Sequence, residues 1–230
     1  MRRLYVLGLL LGLLVPLFAA QSNRDDDLAR IRSATQVLHE IQSVPDQAIP
    51  NAILSGAACI AVIPSEKKFA LGIGGSYGKG LVTCRNGNRW SAPAFITVGG
   101  GSWGFQIGGE ASDVVMVFRN RRGVERLLSN KLRIGADASA AAGPVGRHAA
   151  AATDATLNAE ILTYARSRGA FAGVSLNGAI VQPDESGNIA MYGRAARHQQ
   201  ILSGEVRAPA AAQPLLQEVA TITGTGPVPR

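Results

Sequence analysis

The stretch that decides the fold runs from Leu71 to Phe118, LGIGGSYGKGLVTCRNGNRWSAPAFITVGGGSWGFQIGGEASDVVMVF, and twelve of the protein's 27 glycines fall between Gly72 and Gly109. Between the glycines apolar side chains recur at every second position: Phe69, Leu71 and Ile73, then Trp103, Phe105 and Ile107. A period of two belongs to a strand. Glycine inside a strand costs about 0.5–1 kcal/mol relative to alanine, so a sheet with this many uses their small size at bends, bulges or close backbone approaches. The expectation is an α+β domain built on a mainly antiparallel, strongly curved or barrel-like sheet with short flanking helices.

Outward from this stretch, Asn86-Gly87 and Asn177-Gly178 each separate two strand-like runs, the short-range signature of a hairpin. Asp113 to Phe118 is apolar on both faces and reads as a buried strand. Gly123 to Asn130 reads as one or two helical turns, and Leu132, Ile134, Ala136, Ala138 and Ala140 alternate with polar or small residues as one further strand, which Gly143-Pro144 ends. Two more strands are expected around Ala159 to Arg166 and Ala170 to Val181. Before the sheet, Leu28, Ile31, Ala34, Leu38 and Ile41 share one face of a helix over Asp25 to Val44. A short helical segment follows between Pro45 and Pro50, then an apolar strand from Ala58 to Ile63. After Ala208 the prolines at 209, 214, 227 and 229 predict a loose tail, with one helical turn near Leu215 to Val219.

Met1 to Ala20, MRRLYVLGLLLGLLVPLFAA, has the grammar of an export signal: two arginines, an apolar run, then small residues. Cleavage after Ala20 is expected, with retention as an anchor the alternative. The domain organisation is therefore a signal peptide over 1–20, one domain over 21–207 and a tail over 208–230. Without the leader, 21 basic residues face 16 acidic ones, a mild excess that favours anionic surfaces. Export to a periplasmic or secreted location also suits a disulfide between Cys59 and Cys84, which fall in neighbouring predicted strands; two free thiols are the alternative.

Several chemistries fail on spacing. The loop Gly72 to Gly80 lacks the third glycine of a dinucleotide site, where Tyr77 stands, and lacks the Ser or Thr of a phosphate loop, where Gly80 stands. Ser76 and Ser102 both sit in Gly-x-Ser-x-Gly strings, with Asp113 or Asp154 and His148 or His198 as conceivable partners. That string needs a strand–turn–helix, and strand follows both serines. His39, His148 and His198 have no paired ligand spacing, so neither a metal site nor a cofactor is expected. Cations cluster at Arg119, Arg121, Arg122, Arg126, Lys131 and Arg133, which face only Glu125, and at Lys67, Lys68, Lys79, Arg85 and Arg89. A patch for anionic lipid headgroups is the functional reading and a solvated loop the bland one. Nucleic acid is not expected, because neither interleaved aromatics nor a recognition helix accompanies the charge.

An ordered set of motifs resembles the SYLF, or Ysc84-type, domain family: Ala-Val-Ile-Pro at 61–64, Gly-Gly-Ser-Tyr-Gly-Lys-Gly at 74–80, Trp-Ser-Ala-Pro at 90–93, Gly-Pro-Val-Gly-Arg at 143–147, the run from Tyr164 to Gly178, and Tyr192-Gly193. The resemblance spans roughly Ala48 to Gly193. It implies a compact, mainly antiparallel domain that is not an enzyme, binds lipid with phosphoinositide binding among its members, and binds actin in fungal members. In eukaryotic members lipid binding is associated with an amphipathic N-terminal segment. Here that segment carries Asp25, Asp26, Asp27 and Glu40 against Arg24, Arg30 and Arg32, a poor match to anionic lipid. An exported chain does not meet cytoplasmic actin. The combined expectation is a non-enzymatic binder of anionic lipid at an envelope membrane. A structural or protein-interaction role in the envelope comes second and a serine hydrolase third.

Overall fold

Strands β1 (Cys59–Ile63) and β5 (Asp113–Phe118) are buried at every position, as a run apolar on both faces requires. They pair antiparallel in the middle of a sheet that, in this computed structural model, has ten strands among the described residues, which are 4–64, 75–101, 112–129, 131–146, 158–167 and 170–225. The other strands are β2 (Gly75–Asn86), β3 (Arg89–Trp90), β4 (Ala94–Gly101), β6 (Leu132–Arg133), β7 (Ala140–Ala142), β8 (Ile161–Ser167), β9 (Ala170–Gly173) and β10 (Ile180–Pro183). The order is β6-β10-β4-β2-β1-β5-β8, with β7 and β9 sharing the outer edge of β8 and β3 hydrogen-bonded to β2. Only β7–β8 is parallel. Among the described residues the sheet curls into a half-barrel that does not close, in line with the strongly curved, barrel-like expectation.

Alternation along each strand divides the interior in two. On one face Ile60, Val62, Leu81, Phe95, Val115, Val117, Leu162 and Tyr164 pack against helix α1 (Leu4–Ser43), α2 (Asn51–Ser55) and, near the C-terminus, α6 (Gln213–Ile222). On the other, Ala61, Ile63, Val82, Ile96, Val98, Met116 and Phe118 meet α3 (Arg121–Leu128) and α5 (His198–Leu202). Helix α4 (Glu185–Tyr192) lies against β4. Over Leu28 to Ile41 the apolar stripe of α1 packs on the core: Ile31, Ala34, Val37, Leu38 and Ile41 are all at most 3% exposed and Leu28 is half-buried. Arg166 on β8 fastens the helix by pairing with both Glu40 and Asp113 and lying over the Phe171 ring.

Four expectations are corrected. Asn177-Gly178 does turn, with Gly178 at φ +87°, but it joins no hairpin: β9 pairs with β8 while β10 crosses to β4 and β6. Leu176 is buried on the way and anchors the crossing. The alternating run after Leu132 is not one strand, because Gly135 at φ +85° turns it and Asp137 Oδ2 accepts from Arg133 N at 2.7 Å. Up to Thr225 the tail is not loose: Leu215, Leu216, Val219 and Ala220 on α6 are buried against α1, and Trp90 Nε1 donates to Thr225 Oγ1 at 3.0 Å. Asp27 and Arg30, counted as surface charges, are each 3% exposed. The hairpin at Asn86-Gly87 forms as expected, with Gly87 at φ +61° and Asn86 opposite Arg89. The periodic residues Phe69, Leu71, Ile73, Trp103, Phe105 and Ile107 lie outside the described residues.

The family motifs meet one another as joints. Alanine at Gly80 would place Cβ 2.5 Å from Val62 O, so the glycine-rich strand needs its gap for Ala61 to Pro64. Cβ at Gly143 would fall 2.0 Å from Tyr164 Cζ, and Cβ at Gly173 would fall 2.1 Å from Gly143 O. Tyr192 Oη donates to Pro93 O at 2.6 Å. Gly173→Ala is accordingly expected to lower stability by about 1–3 kcal/mol, since a backbone carbonyl cannot swing aside as a side chain can. Urea denaturation measures it, and an unchanged midpoint would refute the close approach.

Candidate functional site, a basic surface across two helices

Helix α3 starts where Asn120 Oδ1 accepts from Gly123 N at 2.9 Å, an N-cap that points the segment after β5 across the sheet. Leu127 faces inward and Arg126 outward. Beyond the helix Lys131 is exposed, and Arg133 on the edge strand β6 is exposed too. Asp137 is the nearest acid in sequence to Arg133, and its Oδ2 is taken by the Arg133 backbone N–H. Among the described residues no ion pair engages Arg126, Lys131 or Arg133.

The structure adds two cations that sequence reasoning missed. His198 Nε2 lies 2.9 Å from Leu128 O and Gln199 Nε2 donates to the same carbonyl at 3.1 Å, so the start of α5 is tied to the end of α3. Arg194 and Arg197 stand just before α5, which these bonds hold to the end of the helix that carries Arg126. Both are exposed, and neither pairs with an acid among the described residues. A signal was present: no Asp or Glu occurs between Glu185 and Glu205.

The remaining predicted cations behave differently. Lys79 Nζ is 2.9 Å from Asp184 Oδ2, which commits it to a buried carboxylate although its own side chain is partly exposed. Arg85 Nε donates to Ala57 O at 2.9 Å and its guanidinium lies over the Trp90 ring, both structural duties. Arg119 is half-buried. Lys67 and Lys68, and the side chains of Arg121 and Arg122, lie outside what the structure describes.

A second polar cluster is interior. Arg30 Nη1 donates to Asp27 Oδ1 at 2.6 Å beneath α4, with the guanidinium 5.7 Å from the Phe95 ring centre. Burial raises Asp27 above the usual carboxylate range against the pull of Arg30. Burial also pushes Asp184 upward, but the Ser186 hydroxyl, Lys79 and the Gly187 N–H outweigh it and hold the carboxyl low. Buried Tyr164 and Tyr192 are both pushed up by desolvation. Charge-paired and closed over by α1 and α4, this cluster fixes helices to the sheet.

No nucleophile elbow forms at Ser76, which sits within β2 opposite Gly100. Asp113 is held by Arg166, and His198 by Leu128 O. Ser102, His148 and Asp154 are outside the described residues. Cys59 and Cys84 stand directly opposite each other on β1 and β2 and are bonded.

The fold is a curled, mainly antiparallel sheet with motif glycines used as joints, and the cations Arg126, Lys131, Arg133, Arg194 and Arg197 are exposed without an ion pair among the described residues. The profile of the Ysc84 family, described as "Las17-binding protein actin regulator", matches residues 99–222, and the chain belongs to that family. The match includes α6, in keeping with its place in the core. The chain is 34% identical over 176 residues to Protein YSC84 of Saccharomyces cerevisiae, covering 75% of this chain and 37% of that one. It is 33% identical over 200 residues to SH3 domain-containing YSC84-like protein 1 of Xenopus laevis, covering 84% and 59%. The human protein of that name is 32% identical over 199 residues, covering 84% and 58%. The chain thus spans about half the length of the curated relatives it matches.

Proposed function

We propose that this protein is a non-enzymatic module that, after export, docks on anionic lipid at an envelope membrane through the surface formed by Arg126, Lys131, Arg133, Arg194 and Arg197. The observation that carries this is a run of exposed cations on adjoining elements, none of them paired with a carboxylate among the described residues. Each Lys or Arg near an anionic bilayer adds about 1 kcal/mol of attraction. Burial of the apolar stripe of α1 in the core supports this site over an N-terminal mode, since an interfacial helix needs that stripe free. The family description, which names a protein-binding actin regulator, carries the second reading: a protein partner on the same surface.

Arg126→Glu with Arg133→Glu changes the surface by four charge units without touching the core. Co-sedimentation with vesicles rich in phosphatidylglycerol is expected to fall on the order of a hundredfold, and wild-type binding to weaken as salt rises, because screening acts within about 8 Å at physiological ionic strength. Binding that ignores both salt and the double reversal would remove this surface. Absence of binding to any anionic vesicle would leave the protein-partner reading.

A further inference from the structure

We propose that the groove between α4 and α5 receives the phosphodiester of an anionic membrane lipid, its phosphate between Arg194 and Arg197 and its glycerol and first methylenes against Ile189. The inference rests on the lipid reading above and deepens it from general attraction to one subsite.

Helix α4 stops where Gly193, at φ +83°, donates its N–H to Ile189 O at 2.8 Å. Ala196 N then donates to Gly193 O at 3.3 Å, and this tight turn brings Arg194 and Arg197 onto one open groove of about 610 Å³. Most other polar groups there are already used. His198 Nε2 and Gln199 Nε2 serve Leu128 O, and Gln200 Oε1 accepts from Arg197 N at 3.1 Å. Facing the groove are the two guanidiniums, the Glu185 carboxylate and Ile189, which at 38% exposure is one of three large apolar side chains exposed among the described residues.

That set selects the ligand. A lipid phosphodiester asks for cationic donors beside an apolar wall, which the two guanidiniums and Ile189 supply. A free inorganic anion would have no use for the exposed isoleucine. Glu185 on the rim leaves the groove with two positive charges against one negative, which matches the single charge of a diester better than the double charge of a monoester.

The test titrates the full mature protein with dihexanoyl phosphatidylglycerol below its micelle concentration, following backbone amides by NMR. Saturable shifts at Ile189, Gly193, Ala196 and Gln199 are expected. Affinity should drop at least tenfold in Arg194→Ser with Arg197→Ser, at unchanged melting temperature, and stay within twofold in Arg24→Ser with Arg32→Ser, exposed cations of α1 outside the proposed surface. An equal response to inorganic phosphate, or to a short polyglutamate peptide, would overturn the lipid assignment. Shifts confined to other residues would overturn the site. If the groove variant still co-sediments with phosphatidylglycerol vesicles like wild type and its titration is unaltered, this subsite is wrong while the broader surface reading stands; loss of vesicle binding by every form, wild type included, defeats that reading instead.

Discussion

Arg30→Met is expected to cost about 3–5 kcal/mol, because it strands the Asp27 carboxylate in the interior without its partner. Asp27 is 3% exposed, and its Oδ2 has no hydrogen-bond donor among the described residues. Only Arg30, through Oδ1 at 2.6 Å, compensates the charge directly. The arrangement belongs to a wider joint: Asp184 caps α4, Lys79 reaches it from β2, and Asn188 exchanges hydrogen bonds with the Phe95 backbone at 2.8 and 3.0 Å. A methionine fills the volume of the arginine stem but leaves the charge. In a domain of this size the loss corresponds to a fall in Tm of about 10 °C.

The same variant carries a pH signature. Asp27 has a folded pKa above its ordinary value of 3.8, chiefly through burial, with Arg30 opposing. A raised acid contributes its stability below the ordinary value and loses it as pH rises through the folded value. Removing Arg30 strips the main opposing charge, so the deficit of Arg30→Met should shrink as pH falls from 7 toward 5. Asp184 acts in the other sense: its lowered pKa means its contribution is lost only in stronger acid, below the window where Asp27 responds. Urea unfolding of wild type and variant at both pH values measures this. An equal deficit at pH 7 and pH 5 would show that Asp27 is not the stranded group, and Asp27→Leu with Arg30→Met should recover most of the loss.

A continuous apolar run and turn chemistry made part of the sheet legible in the sequence. Asp113 to Phe118, apolar at every position but the first, could only be a strand covered on both faces, and Asn86-Gly87 could only be a tight turn. What failed was pairing at a distance. Asn177-Gly178 carries the same turn chemistry, yet β10 pairs with β4 because Val181 and Ala179 complete the second core, a fact of tertiary packing that no local signal holds. Asp27 and Arg30 looked like solvated charges because three-residue helical spacing cannot show that α4 will cover them. The candidate surface was half legible: Arg126, Lys131 and Arg133 stand together in sequence, while Arg194 and Arg197 reach them only through two hydrogen bonds onto Leu128.

The disulfide gives the second large effect, and it was the long-range contact that sequence reasoning did place. Cys59 and Cys84 are register partners on adjacent antiparallel strands, with Cα atoms 4.0 Å apart, and both sulfurs lie inside the second core beside Ala61 and Val82. Their separation of 25 residues sets the chain-entropy gain at about 3 kcal/mol. Cys59→Ala with Cys84→Ala should therefore lower Tm by about 6–12 °C, somewhat more if the vacated sulfur volume is not refilled. Reduction of the wild type should reproduce most of that shift without creating a cavity, which separates the cross-link from the packing. The bond also bears on where the chain works, since such a bridge persists in oxidising compartments. Mass spectrometry of protein recovered from its native compartment without reductant should show one disulfide and no alkylated cysteine; two alkylatable thiols there would overturn both the bridge and the exported location proposed above.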